Sequence, residues 1–236
     1  MNSDEVFSLE FDMLTRTSGL AKTLQWFRGN AVGAAAHRQL LLELHYLVNV
    51  HSKVRELAAD VIATEEWSAW QELLAVPALS FGQGASFADD LHALGLSSLD
   101  SFSLSPLPQT VAMEAYAHFQ LVERPVVRLV GYLWFFERMP RLIYPLWHEA
   151  CRRGGVPDKA LRALAQIAVA DPARDLQVAT ACRQAVRRPR DLGVATQSLN
   201  VTMELFSSMV DAALQRAERR PAPAIEIETR GIGQVA

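Results

Sequence analysis

The 236-residue sequence has little of what marks several protein classes. It has two cysteines, Cys151 and Cys182, which are far apart and form no CxxC metal or redox motif, so a reducing cytoplasmic setting is indicated. Its 12 glycines show no period, which excludes a collagen-like fibre. It also lacks an excess of basic residues. A net charge of -3 gives no general attraction to phosphate and argues against a nucleic-acid partner.

Long apolar runs and a basic N-terminal segment are missing as well. The strongest apolar run, 126–136, contains Arg128 and is too short to span a bilayer. The first residues, Met1 to Glu5, are acidic, so a secretory signal peptide is not expected. We therefore expect a cytoplasmic protein without a membrane partner.

What the sequence does have is helical periodicity and enough apolar surface for a large core. Half of its residues are hydrophobic and 21% are charged. In 34–63 the apolar positions recur every three or four residues, and no segment alternates as a strand would. The sequence predicts one all-α domain of seven to nine helices over 1–220, followed by a flexible, Pro-containing tail over 221–236.

The predicted helices differ in length and are separated by glycine, serine and proline. Residues 4–28 are expected to form one helix, or two helices with a break at Ser18-Gly19. A loop is expected over 80–86 and a bend near Pro140 and Pro145, and Asp171-Pro172 is expected either to kink a helix or to restart it. The other predicted helical ranges are 34–63, 65–76, a short helix ending near 94, 108–122, 126–152, 158–170 and 192–219.

Polar residues at core positions are the candidate functional residues, because helical bundles build their sites from inward-pointing side chains. His51 lies in the apolar seam of 34–63. A histidine at such a position can be a hydrogen-bonded structural residue, a ligand or a proton carrier. His45 and Glu43 lie on other faces of this helix, where we expect a surface or pocket-edge position.

Glu137 stands in a helix that is apolar nearly all round. An isolated buried carboxylate is costly, so Glu137 must be paired, metal-bound or kept protonated. Arg138 can be its partner only at an exposed helix edge. Asp171 and Asp175 lie one turn apart, and Asp171 can cap a helix and pair with Arg174 at the i,i+3 spacing. The alternative is that Asp171 lies beside Glu137 as a metal ligand or an acid–base group.

The order of these segments resembles the heme-oxygenase-like superfamily over about 20–215, in particular the iron-containing heme-oxygenase-like oxidases. Thiaminase-II-like proteins and pyrroloquinoline-quinone synthase are more distant relatives of the same superfamily. The matching segments are His45-Tyr46-Leu47-Val48-Asn49-Val50-His51-Ser52, Phe87-Ala88-Asp89-Asp90-Leu91-His92-Ala93-Leu94-Gly95-Leu96, Pro106-Leu107-Pro108, Gly131-Tyr132-Leu133-Trp134-Phe135-Phe136-Glu137 and Gly154-Gly155-Val156-Pro157-Asp158-Lys159-Ala160-Leu161.

The resemblance implies a metal site from which ligands are missing. The iron oxidases bind metal through carboxylates and histidines, including a Glu that matches Glu137 and a His-x3-Asp-x2-His run. Here that run keeps Asp171 but has Ile167 and Arg174 in place of the histidines. Glu65 or Glu66 could supply a further carboxylate. Glu137 and Asp171 are therefore weak metal candidates, and the cofactor stays open, with iron disfavoured.

Two interpretations of function follow from the resemblance. In the first, the protein is a small-molecule-processing enzyme of the heme-oxygenase-like oxidase type, such as an oxidoreductase of specialised metabolism. Glu137, Asp171 and His51 would be catalytic, and Arg174 and His45 would bind substrate, around an internal cavity. In the second, it is a non-catalytic pseudoenzyme that serves as a binding or partner protein. Either form could be a homodimer.

Overall fold

The computed structural model describes residues 3–75, 87–96, 105–123, 125–167 and 172–219. Within these ranges all regular structure is helical: ten α-helices and one 3-10 turn, Asp158–Ala160. The helices are α1 (Ser3–Thr17), α2 (Gly19–Gly29), α3 (Ala34–Ile62), α4 (Ser68–Ala75), α5 (Phe87–Ala93), α6 (Pro108–Val122), α7 (Val127–Arg153), α8 (Arg162–Ile167), α9 (Pro172–Ala185) and α10 (Pro189–Arg219).

The prediction of an all-α protein is confirmed, with one helix more than the upper predicted number. The chain does break at Ser18, and the backbone N–H of Gly19 donates to Glu204 Oε1 of α10 at 2.7 Å, which caps α2. The last helix begins at Pro189, three residues before the predicted start, because proline is accepted in a first turn. The predicted loop 80–86 and the tail 221–236 lie outside the described residues.

Helix α7 is at the centre of the bundle. Its residues from 129 to 137 are buried without interruption, as expected for a helix that is apolar on all faces. It is contacted by α2, α3, α6, α8, α9 and α10, and the largest of these contacts is with α10. Any polar residue in this stretch must therefore find its partner inside the protein.

The two other long helices turn their predicted seams toward this core. In α3, Leu40, Leu44 and Leu47 are buried, and His51 continues the same face. In α10, Leu199 and the later seam residues are likewise buried. No helix of the described ranges has the length and apolar character needed to cross a lipid bilayer.

The closest approach between α7 and α10 requires a glycine. A Cβ atom on Gly131 would lie 2.2 Å from the carbonyl oxygen of Ala195 and 2.6 Å from the amide nitrogen of Leu199. Such contacts are far below van der Waals distance, so any side chain here would push the two helices apart. Gly131 thus sets the helix crossing two turns before Glu137.

We expect Gly131→Ala to destabilise the protein by about 1–3 kcal/mol, because the added methyl group overpacks the α7–α10 crossing. Gly193→Ala is the matched control within α10: an added Cβ there has nothing within 4 Å, and removing a helix glycine should stabilise by about 0.5–1 kcal/mol. Urea unfolding measures both. Equal effects of the two substitutions would contradict the close crossing.

Candidate functional site

The candidate site is centred on the buried carboxylate of Glu137, which binds two arginines. Arg174 of α9 forms a forked pair with it: Nε donates to Oε2 at 3.0 Å and Nη2 donates to Oε1 at 2.9 Å. Arg55 of α3 donates from Nη1 to Oε1 at 2.5 Å. The side chains of Glu137 and Arg174 are 3% and 4% exposed. Glu137 is thus paired, as its position in an apolar helix required.

The site residue missed by sequence reasoning is Arg55. It follows His51 by four positions and lies beside the seam residue Val54, a spacing that places it on the face toward α7. Besides binding Glu137, its Nη2 donates to the carbonyl oxygen of Leu73 at 2.8 Å, near the C-terminus of α4. Carbonyls at a helix end lack helical partners, so this bond also anchors α4.

The charges of this cluster, defined as Arg55, Glu137 and Arg174, depend on one another. Burial lowers the pKa of Arg55, the Glu137 carboxylate raises it, and the nearby Arg174 lowers it. Hydrogen bonds between ionised groups are stronger than neutral ones, and the forked pair also fixes direction. Because the cluster is buried, removing one member should lower the free energy of unfolding. The remaining members would stay in an apolar surrounding without the opposite charge that the lost member supplied.

Asp175, the residue after Arg174 in α9, also forms an ion pair with α7, but here α9 carries the negative charge and α7 the positive one. Asp175 accepts a hydrogen bond from Arg138 at 2.5 Å and also pairs with Arg141. Glu137 is buried, so the condition under which Arg138 could be its partner is not met, and Arg138 instead binds Asp175 at the partly exposed α9 edge. Consecutive residues of α9, one positive and one negative, thus bind α7 residues of opposite sign and fix how α9 lies on α7.

His51 lies next to the cluster but is not a member of it. Its ring stacks on Phe136, with centroids 4.4 Å apart, and its Nδ1 is 3.4 Å from the hydroxyl of Tyr132. Burial first, and then the positive charge of Arg55, hold the pKa of His51 well below 6.5. His51 is therefore a neutral imidazole at neutral pH.

The other predicted site residues are not brought to Glu137 by the described contacts. His45 is half-buried on a different face of α3, and burial lowers its pKa. Asp171 lies outside the described residues, so its catalytic and metal-binding roles stay predictions. The hydrogen bonds and ion pairs of Glu137 come from Arg55 and Arg174.

Glu43 is not at the surface, contrary to expectation. It is 2% exposed and accepts hydrogen bonds from the Gln39 side chain at 2.7 Å, the Leu107 amide at 3.0 Å and the Thr110 hydroxyl at 2.5 Å. The last two donors belong to the start of α6, where backbone amides lack helical partners. Glu43 therefore caps α6 from another helix, a role that only the tertiary packing of α3 on α6 could reveal.

Two further buried groups hold the turn between α7 and α8. His37 Nε2 donates to the Ala160 carbonyl at 2.8 Å, and Asp90 Oδ2 accepts from the Ala163 amide at 3.0 Å. Burial lowers the pKa of His37 to about 4. Burial raises the pKa of the Asp90 carboxyl group. Both residues act on the fold rather than on Glu137.

Comparisons with known proteins bear on the fold. No protein-family model matches the chain, and no curated protein matches it. Its structure is similar to the crystal structure of a domain of unknown function with a heme oxygenase-like fold from Shewanella denitrificans OS217. The TM-score is 0.69 over 91% of this chain and 90% of that one, with 14% sequence identity. The chain has a heme-oxygenase-like fold. At this identity the similarity shows the fold alone.

The described residues around Glu137 do not form the iron site that the resemblance to the heme-oxygenase-like oxidases implies. Among the described residues, no group of three or more His, Cys, Asp or Glu side chains is placed to hold a metal ion. In addition, Arg55 and Arg174 occupy both oxygens of Glu137. At about 5 Å and an effective dielectric constant of about 20, a divalent cation and each guanidinium repel by on the order of 5 kcal/mol. Glu137 is therefore poorly suited to bind a metal.

A surface groove of about 800 Å³ lies away from the Arg55–Glu137–Arg174 cluster. It is lined at the end of α3, the start of α7 and the turn before α10, with Trp67, Val126 and Arg188 among its residues. The internal cavity expected at Glu137 stays a prediction.

The cluster predicts an order of stabilities. Glu137→Gln should cost about 3–5 kcal/mol, because it leaves two buried guanidiniums without their carboxylate. Arg55→Met or Arg174→Met should each cost less, about 1–3 kcal/mol, since Glu137 keeps one arginine. The triple variant should recover most of the loss of Glu137→Gln. Urea unfolding gives these values, with the partly exposed Asp175→Asn as a control that costs about 0–1 kcal/mol. An arginine variant less stable than Glu137→Gln would contradict the shared pairing.

His37 predicts a loss of stability on acidification. The pKa of His37 is about 4 in the folded protein, whereas the ordinary pKa of a histidine is 6.5, so between these values the unfolded chain binds more protons. The free energy of unfolding is therefore highest above pH 6.5, and it decreases by up to about 3 kcal/mol as the pH falls toward 4. His37→Gln, which keeps a donor for Ala160, should flatten this dependence in urea unfolding. The exposed His118→Gln should leave it unchanged, and a curve for His37→Gln as steep as the wild type would contradict the assignment.

Proposed function

We propose that this protein is a metal-independent, non-catalytic binding protein with a heme-oxygenase-like fold, whose ligand is a small organic carboxylate recognised at the Arg55–Glu137–Arg174 cluster. The observation that carries the proposal is the pairing of Glu137. Both its oxygens accept hydrogen bonds from guanidiniums, so it is a poor metal ligand.

The same pairing changes the argument for an enzyme. A carboxylate retained in an apolar helix suggests catalysis when no other reason for it is known. Here there is another reason, because loss of Glu137 would leave Arg55 and Arg174 buried without their counter-charge. Retention of Glu137 is therefore explained by stability.

The ligand class follows from the chemistry of arginine. A planar guanidinium matches a carboxylate with two parallel donors, as Arg174 already does with Glu137. The three side chains of the cluster carry a net charge of +1, so a ligand carboxylate can bind beside Glu137 without displacing it. Phe136 and Tyr132, which surround His51, provide an apolar wall for the organic part of the ligand.

A panel of small carboxylates, their uncharged amide analogues and anaerobic Fe(II) tests this by the shift in melting temperature. We expect at least one carboxylate to raise the melting temperature of the wild type, and neither its amide nor Fe(II) to do so. The shift should disappear in Arg55→Met and persist in Arg183→Met, which removes an exposed arginine of α9. Stabilisation by Fe(II) that is lost in Glu137→Gln would instead establish a metal site.

The second candidate function is an enzyme that processes this ligand, and the position of His51 favours it. Its ring lies beside the cluster, with Nδ1 3.4 Å from the Tyr132 hydroxyl, so it is placed to exchange a proton with a ligand held there. Mass spectrometry of the bound carboxylate after incubation with the protein separates the two functions. Unchanged ligand supports the binding protein; a product that is lost with His51→Gln establishes the enzyme.

A further inference from the structure

The outward face of α6 is unusually apolar for a surface helix. Val111 is 44% exposed, Phe119 43% and Val122 77%, and Pro108 and Ala115 on the same side are exposed too. Surface helices ordinarily carry polar and charged residues on this side. A contiguous exposed apolar patch is typical of an interaction surface.

This face is also free of charge. The one acidic residue within α6, Glu114, is turned inward and accepts a hydrogen bond from the Tyr46 hydroxyl of α3 at 2.5 Å. By contrast, the exposed residues of α3 and α10 include Lys53 and Asp211. Charged residues are depleted at the centre of protein interfaces, so the composition of α6 is that of an interface centre.

The spacing of the apolar residues indicates which partner fits. Pro108, Val111, Ala115, Phe119 and Val122 are placed symmetrically about Ala115. In an antiparallel pair of identical helices centred on Ala115, Val111 of one copy faces Phe119 of the other, and Pro108 faces Val122. A large residue then meets a smaller one, two alanines meet at the centre, and the helix dipoles are antiparallel.

We propose that the α6 face, defined as these five residues, binds a second copy of this chain across a two-fold axis at Ala115. Such an interface is self-complementary, as a two-fold dimer requires. Phe119 is its anchor, because its ring already stacks on Tyr116 with centroids 6.3 Å apart and loses little freedom on binding. The small side chain of Ala115 lets the two helices approach closely.

The size of the face sets the expected strength. The 15 residues of α6 extend over about 22 Å. One helix face buries less than the roughly 800 Å² per partner of a standard interface, so we expect a dimer that dissociates in the micromolar range.

Sedimentation velocity over a series of micromolar concentrations tests the dimer. The wild type should shift from monomer to dimer as its concentration rises, and Phe119→Lys should stay monomeric with an unchanged melting temperature. Leu176→Lys is the matched control, because Leu176 is 64% exposed on α9, away from α6. It should dimerise like the wild type.

Cross-linking tests the position of the axis. Mild oxidation of Ala115→Cys should join two chains through a disulfide, because each substituted residue faces its own copy. Ser208→Cys, exposed on α10, should not link. The native Cys151 and Cys182 are buried and do not interfere.

Three results would overturn the proposal. The first is a wild type that stays monomeric at every concentration, and the second is a dimer that neither Phe119→Lys weakens nor Ala115→Cys links. The third is a monomer that binds phosphatidylcholine vesicles through Phe119, which would assign the face to lipid.

Discussion

The arrangement of much of this bundle depends on the pairing of one carboxylate with two arginines. Glu137 lies in a helix buried from 129 to 137, where an unpaired charge is not tolerated. Arg55 reaches it from α3 and Arg174 from α9, and Arg55 also binds the end of α4. Glu137 thereby joins α3 and α9 to α7, and Arg55 also joins α4 to α3.

Two constraints in the same helix act together with this pairing. Gly131 brings α10 against one part of α7, and Glu137 brings α3 and α9 against the next part. Packing of this kind is sensitive to distance, whereas ion pairs are sensitive to direction. Gly131 therefore sets how closely the helices pack, and Glu137 sets which helices meet, so α7 organises the fold by two different physical means.

The sequence was sufficient to predict the helices and part of the site. Helical periodicity placed α3, α6 and α7 within one residue of their observed bounds, and the burial cost of Glu137 predicted pairing as one of three ways to satisfy its carboxylate. Arg55 and Glu43 were missed for a common reason. Periodicity assigns a residue to a face of its own helix, but the helix that lies opposite is fixed by tertiary packing. A long arginine beside a seam can pair across the core, and a glutamate can cap a distant helix.

The heme-oxygenase-like fold and the proposed metal-independent function can both be related to the pairing of Glu137. A metal ion and a pair of guanidiniums are alternative ways to neutralise a buried carboxylate, and they exclude each other because both are positive and both need the same oxygens. Once Arg55 and Arg174 bind these oxygens, the bundle keeps the electrostatic support that a metal centre would give it without needing the remaining metal ligands. Under the proposed function, a bundle of this fold recognises an organic anion at a buried cluster in which the core carboxylate is already paired.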